Sequence, residues 1–252
     1  MQKNRITQSI IVGFTTLIAT AIWAGLKNFL FENGNWLWPI IGFFILLVFL
    51  SLNWLITKSK PILLITLFFV LITFLFAFGF RWEYLSFLFI AYFLFFLGSQ
   101  RTIYEKESRI KIETIMILKR GLPFIITGLS LMIVVAYYFS PLVLSGQNEI
   151  TIPRPLFNVI VNPILDQFEE KIPFDNNDLY QLLNQEVNRQ SQAYVQYLTF
   201  GLAIGLFFAL KIIGFPFMWL VIFFSLAIFK FLVAMGAIKI QEQAVLKEVI
   251  EV

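Results

Sequence analysis

The amino-acid sequence predicts an all-α integral membrane protein, a bundle of about seven transmembrane helices with an extracytoplasmic helical cap. Of its 252 residues, 59% are hydrophobic and 13% are charged, against roughly 25% charged in soluble domains. Several apolar runs approach the ~20 residues that span a hydrocarbon core of ~30 Å. A single long polar interval, 145–192, separates the first five runs from the rest.

The first 144 residues are predicted to hold five spans of the membrane bundle. Their approximate limits are 7–26, 36–57, 61–80, 84–100 and 121–144. Pro39, Pro61 and Pro123 fall in predicted first turns, where a missing N–H costs nothing. The short fourth run is expected to continue as helix towards residue 113. The connection Arg81-Trp82-Glu83 is expected to join the third and fourth spans.

The last segment, 193–252, is predicted to be a membrane hairpin with a helical C-terminal tail. Its spans, the sixth and seventh, cover about 194–213 and 217–238. A single helix over 194–238 would be about 67 Å long at 1.5 Å per residue, more than twice the hydrocarbon thickness. Gly214-Phe215-Pro216 offers a turn, and Pro216 suits the start of a new helix.

The polar interval 145–192 is predicted to form the cap. Apolar residues recur at i, i+3 and i+4 over 155–170, which is typical of an amphipathic helix, and a second helix is expected from near Asn177. About fifty residues are too few to bury a core of their own, so the cap must lie on the bundle or on a partner. Its acidic residues fit no EF-hand spacing, which favours a solvated face over a calcium or magnesium site.

Basic residues predict the orientation in the cell membrane. The N-terminus, Lys58, Lys60, 101–120 and Lys211 together hold eleven basic residues against three acids. The N-terminus is therefore predicted to be cytoplasmic, and 145–192 and the C-terminus to lie outside. The first run also resembles a signal peptide, with Ala19-Thr20-Ala21 as a cleavage site, but apolar residues continue past that site and favour a retained span.

The missing residue types exclude several chemistries. The chain has no Cys and no His, which removes disulfides, thiolate nucleophiles, histidine metal ligands and every Ser-His or Cys-His arrangement. No catalytic residue, metal ligand or cofactor is predicted. The net charge of +4 is explained by the cytoplasmic ends of the spans, so no nucleic-acid partner is predicted. No motif of a known family can be quoted from the chain.

Three charged residues are candidate functional residues. Lys230 is predicted to be the only charge deep within a span, and such residues are functional hypotheses by default. A Schiff-base lysine is disfavoured because the third span has no acid to act as counter-ion. Snorkelling outward, or pairing with Glu83 at the outer boundary, is preferred. Arg81 and Glu83 flank Trp82, either as an interfacial anchor, which is preferred, or as the mouth of a path for a charged solute.

Gly201, Gly205 and Ala209 form a row of small residues on the predicted sixth span. Small residues at this spacing let two helices approach closely, so the row is a candidate packing surface. Packing within the chain is preferred over packing against another copy.

Two classes of function survive, with a lipid-modifying enzyme third. The preferred one is a non-enzymatic, partner-binding or structural component of a membrane complex. A protein partner or second copy would bind through the 155–190 cap and the C-terminal tail. The alternative is a transporter or channel for a small uncharged or lipophilic solute, with a cavity lined by hydroxyl and amide side chains such as Thr15, Thr16, Thr20, Asn53, Ser86 and Ser225.

Overall fold

The fold was analysed in a computed structural model, which describes residues 2–32, 34–57, 59–108, 113–144, 176–236 and 238. Its helices are α1 Gln2–Glu32, α2 Leu37–Ile56, α3 Lys60–Phe78, α4 Trp82–Ser108, α5 Thr114–Tyr138, α6 Pro141–Leu144 and α7 Asn176–Ala234. These described residues contain no strand. The prediction of an all-α chain is therefore confirmed for them.

Six of these helices are long and apolar enough to cross a membrane. The six segments are Val12–Glu32, Leu37–Ile56, Lys60–Phe78, Trp82–Ser108, Thr114–Tyr138 and Thr199–Ala234. Large apolar side chains also lie on the outside of the helices, where Phe76 is 80% exposed and Phe89 73% exposed. Such a surface is typical of a protein whose solvent is hydrocarbon. A multi-pass membrane protein follows, with six candidate spans among the described residues instead of seven.

The chain divides into two compact units, 1–136 with 207–252, and 137–206. In the first unit α1 packs against α2 and α3, and α3 packs against α4. Trp23 lies at the centre of this packing, fully buried, with its ring edge-on to Phe43 and Phe74. Its Nε1 donates a hydrogen bond to the carbonyl oxygen of Val70 at 3.0 Å. The one polar atom of Trp23 is therefore satisfied inside the bundle.

The connection between the third and fourth spans lies earlier than predicted. Helix α3 ends at Phe78, and Gly79 follows with φ of 84°, a conformation that favours glycine. The N–H of Gly79 still donates to the Leu75 carbonyl oxygen at 2.8 Å. Helix α4 begins at Trp82, so Trp82 and Glu83 belong to its first turn and are not part of the connection. The predicted continuation of α4 past its apolar run is confirmed as far as Ser108.

Helix α5 begins at Thr114 and passes through Gly121 and Pro123 without a break, so a start at Gly121 was a wrong prediction. Gly121 serves a close contact: a Cβ there would meet the Thr102 hydroxyl and, at 2.6 Å, the Trp54 ring. The glycine therefore allows α2, α4 and α5 to meet at one point.

Helix α7 is continuous from Asn176 to Ala234 with Pro216 in its interior, so the hairpin predicted at 214–216 is wrong. A Cβ on Gly214 would meet Ile126 of α5 at 2.8 Å. This glycine makes room for a neighbouring helix and does not turn the chain. Apolar surroundings favour a helix that satisfies its own backbone, and membrane helices tolerate the one hydrogen bond that proline removes. The apolar part of α7, Thr199–Ala234, has 36 residues and is about 54 Å long at 1.5 Å per residue, so it extends beyond a hydrocarbon layer of ~30 Å.

The second unit, 137–206, contains α6 and the first part of α7. Ser140 donates its hydroxyl to the Tyr137 carbonyl oxygen at 2.6 Å, where α5 has ended. Helix α7 begins at Asn176, in agreement with the start predicted near Asn177. Asn184 and Thr199 are buried in this unit, and Leu182 is half-exposed. The predicted amphipathic helix 155–170 and the predicted tail 239–252 lie outside the described residues.

Candidate lipophilic-ligand site

A cavity of about 220 Å³ lies between α2, α5 and α7 in the first unit. Its lining is apolar except for Ser130 and consists of Ile40, Phe43, Leu47, Ile126, Leu129, Ser130, Ile133, Leu210, Ile213, Gly214 and Phe217. Ile40 is 48% exposed and Ile213 is 61% exposed, so the cavity opens to the surface of the helix bundle. Apolar walls with one hydroxyl suit an uncharged lipophilic molecule.

Aromatic contacts hold α2 against α7 beside this cavity. The ring centroid of Phe44 lies 5.6 Å from that of Phe217 and 5.3 Å from that of Phe224, both edge-on. Edge-to-face pairs of this kind contribute roughly 0.5–1.5 kcal/mol each beyond their buried area. These contacts therefore join two of the helices that form the cavity walls, α2 and α7.

A lysine on α7 forms a hydrogen bond next to the lining residues Leu210 and Ile126, and we call this position the rim of the cavity. Lys211 donates from Nζ to Oγ1 of Thr127 at 2.5 Å, and the Thr127 hydroxyl donates to the Pro123 carbonyl oxygen at 2.6 Å. Gly214 and Ser130 line the cavity. Lys211 lies one helical turn from Gly214, and Thr127 lies one turn from Ser130. The sequence was interpreted as placing Lys211 at the cytoplasmic end of a span, and the continuous α7 places it within an apolar segment instead.

Lys106 closes the end of α2. Its Nζ lies 3.2 Å from the Trp54 carbonyl oxygen, 2.8 Å from that of Leu55 and 3.2 Å from that of Thr57. These carbonyls have no partner within their own helix, and an ammonium there also balances the negative end of the helix dipole. The contact makes Lys106 a structural residue.

Several hydroxyl groups inside the bundle donate hydrogen bonds within their own helices. Each donates to a carbonyl oxygen three or four residues earlier, as seen at Ser51, Thr66, Thr73 and Thr102. Asn53 joins α2 to α3, since its Nδ2 donates to Oγ1 of Thr66 at 3.4 Å. These bonds satisfy polar groups locally, so the hydroxyls are not aligned as a polar path.

The polar residues expected to line a cavity do not come together. Thr15, Asn53 and Ser225 are buried, whereas Thr20 and Ser86 are exposed. Thr16 and Thr20 donate to carbonyl oxygens of α1 itself. None of the six belongs to the lining of the cavity between α2, α5 and α7.

Lys230 lies on the exposed face of α7, four residues before that helix ends. Among the described residues it forms no ion pair with Glu83, and the cavity does not reach it. Arg81 lies 5.9 Å from the ring centroid of Tyr84. Glu83 is in the first turn of α4, where a carboxylate is favoured by the helix dipole. The structure does not bring these three predicted residues together.

The row of small residues on α7, Gly201, Gly205 and Ala209, is exposed. A Cβ built on Gly201 or Gly205 has no atom within 4 Å in the part of the chain that the structure describes. Ala209 is exposed as well. The preferred expectation, packing of this row within the chain, is therefore not seen among the described residues.

The described residues contain no group of three or more His, Cys, Asp or Glu side chains that could hold a metal ion. No protein-family model, curated protein or solved structure matches the chain. The assignment of the candidate site is therefore based on the geometry of the structure.

Sequence reasoning missed Lys211, Thr127 and Ser130. A signal for Lys211 was present, because it is a lone cation between Thr199 and Gly214 in an apolar stretch. The assumed turn at Gly214-Phe215-Pro216 hid that signal by moving Lys211 to a membrane boundary. Thr127 and Ser130 had no comparable signal, because hydroxyl residues are common in membrane helices.

Proposed function

We propose that this chain is a non-enzymatic membrane component that binds a partner's transmembrane helix through α7. The observation that supports this proposal is the open space at Gly201 and Gly205. Small residues four positions apart allow two helix backbones to approach closely in a membrane, where packing replaces the hydrophobic effect as the driving force. The exposed Phe200 and Leu202 beside them would add contact area on either side of the crossing.

The way the first unit uses its charged groups also favours a non-enzymatic component. Lys60 pairs with Glu107 at 3.4 Å, and Arg120 with Glu105 at 3.6 Å. Lys106 is held by backbone carbonyls. Each of these groups stabilises a helix end or a helix contact, so their charges are used in structure.

The native mass of the protein in a mild detergent tests this proposal. We expect a defined complex for the wild-type chain, either with a second copy or with a stoichiometric partner, and loss of that complex in Gly201→Leu/Gly205→Leu. Gly13→Leu/Gly25→Leu is the matched control, because a Cβ at Gly13 or Gly25 also meets open space and two Gly→Leu changes alter helix propensity by the same amount. A wild-type monomer without a partner would contradict the proposal.

A second candidate function is binding, and with it transport, of a small uncharged or lipophilic solute. The apolar cavity between α2, α5 and α7 favours it, since a dry apolar cavity of about 150 Å³ in another protein is already large enough for benzene. We expect decanol to bind the protein in nanodiscs, and Leu210→Trp, which fills the cavity, to prevent this. Unchanged binding by that variant would exclude the cavity as the site.

A further inference from the structure

The rim of the cavity carries a positive charge that no described carboxylate balances. The described ion pairs of the first unit are Lys60 with Glu107 and Arg120 with Glu105. Lys211 has three N–H donors, of which Thr127 accepts one. A charged group surrounded by apolar side chains is costly unless an anion or water satisfies it. The site therefore favours a ligand that brings a negative charge to Lys211.

The position of Lys211 limits what that ligand can be. Its partner Thr127 lies near the middle of α5, which extends from Thr114 to Tyr138. A phospholipid headgroup stays at the membrane surface, whereas a carboxylic acid can enter hydrocarbon in its neutral form and ionise beside an ammonium group. A cavity of roughly 150 Å³ holds one benzene molecule. The cavity of about 220 Å³ therefore has room for part of one acyl chain and not for the two acyl chains of a phospholipid.

We propose that the cavity and Lys211 together bind a fatty acid, with the acyl chain between α2, α5 and α7 and the carboxylate on the Lys211 ammonium. This inference rests on the second function proposed above, the binding of a lipophilic molecule. The acyl chain enters between Ile40 and Ile213, which are exposed residues of the lining. Thr127 holds the ammonium at the rim, and Ser130 offers a hydroxyl to the carboxylate one turn further along α5.

Equilibrium binding of radiolabelled decanoate and decanol to the full chain in phosphatidylcholine nanodiscs tests the inference. At mildly alkaline pH, where decanoate is ionised, we expect the wild-type protein to bind decanoate at least about tenfold more tightly than decanol. Lys211→Met should remove this preference and leave decanol binding intact, and Lys211→Arg should keep it. Lys230→Met is the matched control, since it removes an exposed lysine from the same helix, and it should behave as the wild type.

The outcomes separate the inference from the function on which it rests. If wild-type protein binds decanol and decanoate equally, the cavity takes uncharged molecules and the fatty-acid inference is wrong. If Lys211→Met keeps the preference for decanoate, Lys211 does not bind the carboxylate and the inference is wrong as well. If neither ligand binds, both the inference and the second candidate function are wrong. The comparison of two ligands on wild-type protein decides this even if Lys211→Met does not fold.

Discussion

Lys106 shows how a single charged side chain stabilises a membrane bundle. It reaches from α4 to three carbonyl oxygens at the end of α2, where the helix has unsatisfied acceptors and partial negative charge. Hydrogen bonds to charged groups contribute roughly 1.5–3 kcal/mol. Contacts of this kind join two helices that are far apart in sequence.

Replacing Lys106 by methionine should therefore lower the free energy of unfolding by about 2 kcal/mol. Methionine keeps most of the apolar stem but leaves the three carbonyls without their donor. Denaturant unfolding in detergent micelles, followed by circular dichroism, measures the change. Lys27→Met is the control, because it removes an exposed lysine and the same charge. Equal stability of the two variants would mean that the contact of Lys106 with the end of α2 contributes nothing to stability.

At the residue scale, the sequence predicted which side chains are unusual better than it predicted what they do. The burial of Trp23 was not predicted, because a sequence does not show that Val70 offers a carbonyl oxygen to its Nε1. Lys211 was assigned to a boundary for a similar reason. The contacts that decide both cases join residues far apart in the chain, and local patterns do not carry them.

At the scale of elements, the two glycine-proline pairs were interpreted alike, and both interpretations were wrong. Gly121 with Pro123 was expected to begin the fifth span, and Gly214 with Pro216 was expected to turn the chain, as such pairs often do in water. Both pairs lie inside continuous helices, and both glycines are sites where a neighbouring side chain approaches closely. In hydrocarbon a broken backbone has no water to satisfy it, so the helix continues.

Alanine substitutions at two glycines should have opposite effects. Gly121→Ala places a Cβ against Thr102 and the Trp54 ring, and overpacking of this kind costs roughly 1–3 kcal/mol. Gly25→Ala meets open space and should raise stability by up to about 1 kcal/mol through helix propensity. Thermal unfolding in one detergent compares the two variants. A stability gain at Gly121 would show that α2, α4 and α5 do not meet there.

The first four spans were predictable because length and hydropathy alone define them. Leu37–Ile56 and Lys60–Phe78 match the predicted limits within two residues. Apolar runs of this length leave the chain little choice but to form a helix across the membrane. The cavity could not be predicted, because its three walls come from α2, α5 and α7 and depend on α7 being one helix.

For the whole molecule, six crossings change the predicted position of the C-terminus. With five candidate spans before 145–192 and one after it, we expect both ends of the chain on the same side of the membrane. Assigning 239–252 to the cytoplasm places twelve basic residues there against five outside, so the charge rule is still satisfied. We propose this orientation, with 145–192 outside and the protein in the cell membrane.

Tags at the two ends of the chain test this topology. Protease digestion of right-side-out and inside-out vesicles reports the side on which each tag lies. We expect both tags to be protected in right-side-out vesicles and both to be digested in inside-out vesicles. Tags on opposite sides would restore an odd number of crossings.

The last apolar stretch forms one helix, and this continuity brings Lys211 and Gly214 to the cavity. The chain has no cysteine, so spin labels at Phe208→Cys and Phe231→Cys would be unique, and both positions are exposed. A continuous helix separates them by about 35 Å along its axis. Pulsed electron paramagnetic resonance in nanodiscs should give a distance close to this value. A distance of roughly 15 Å, as expected for a hairpin turning at 214–216, would contradict the account.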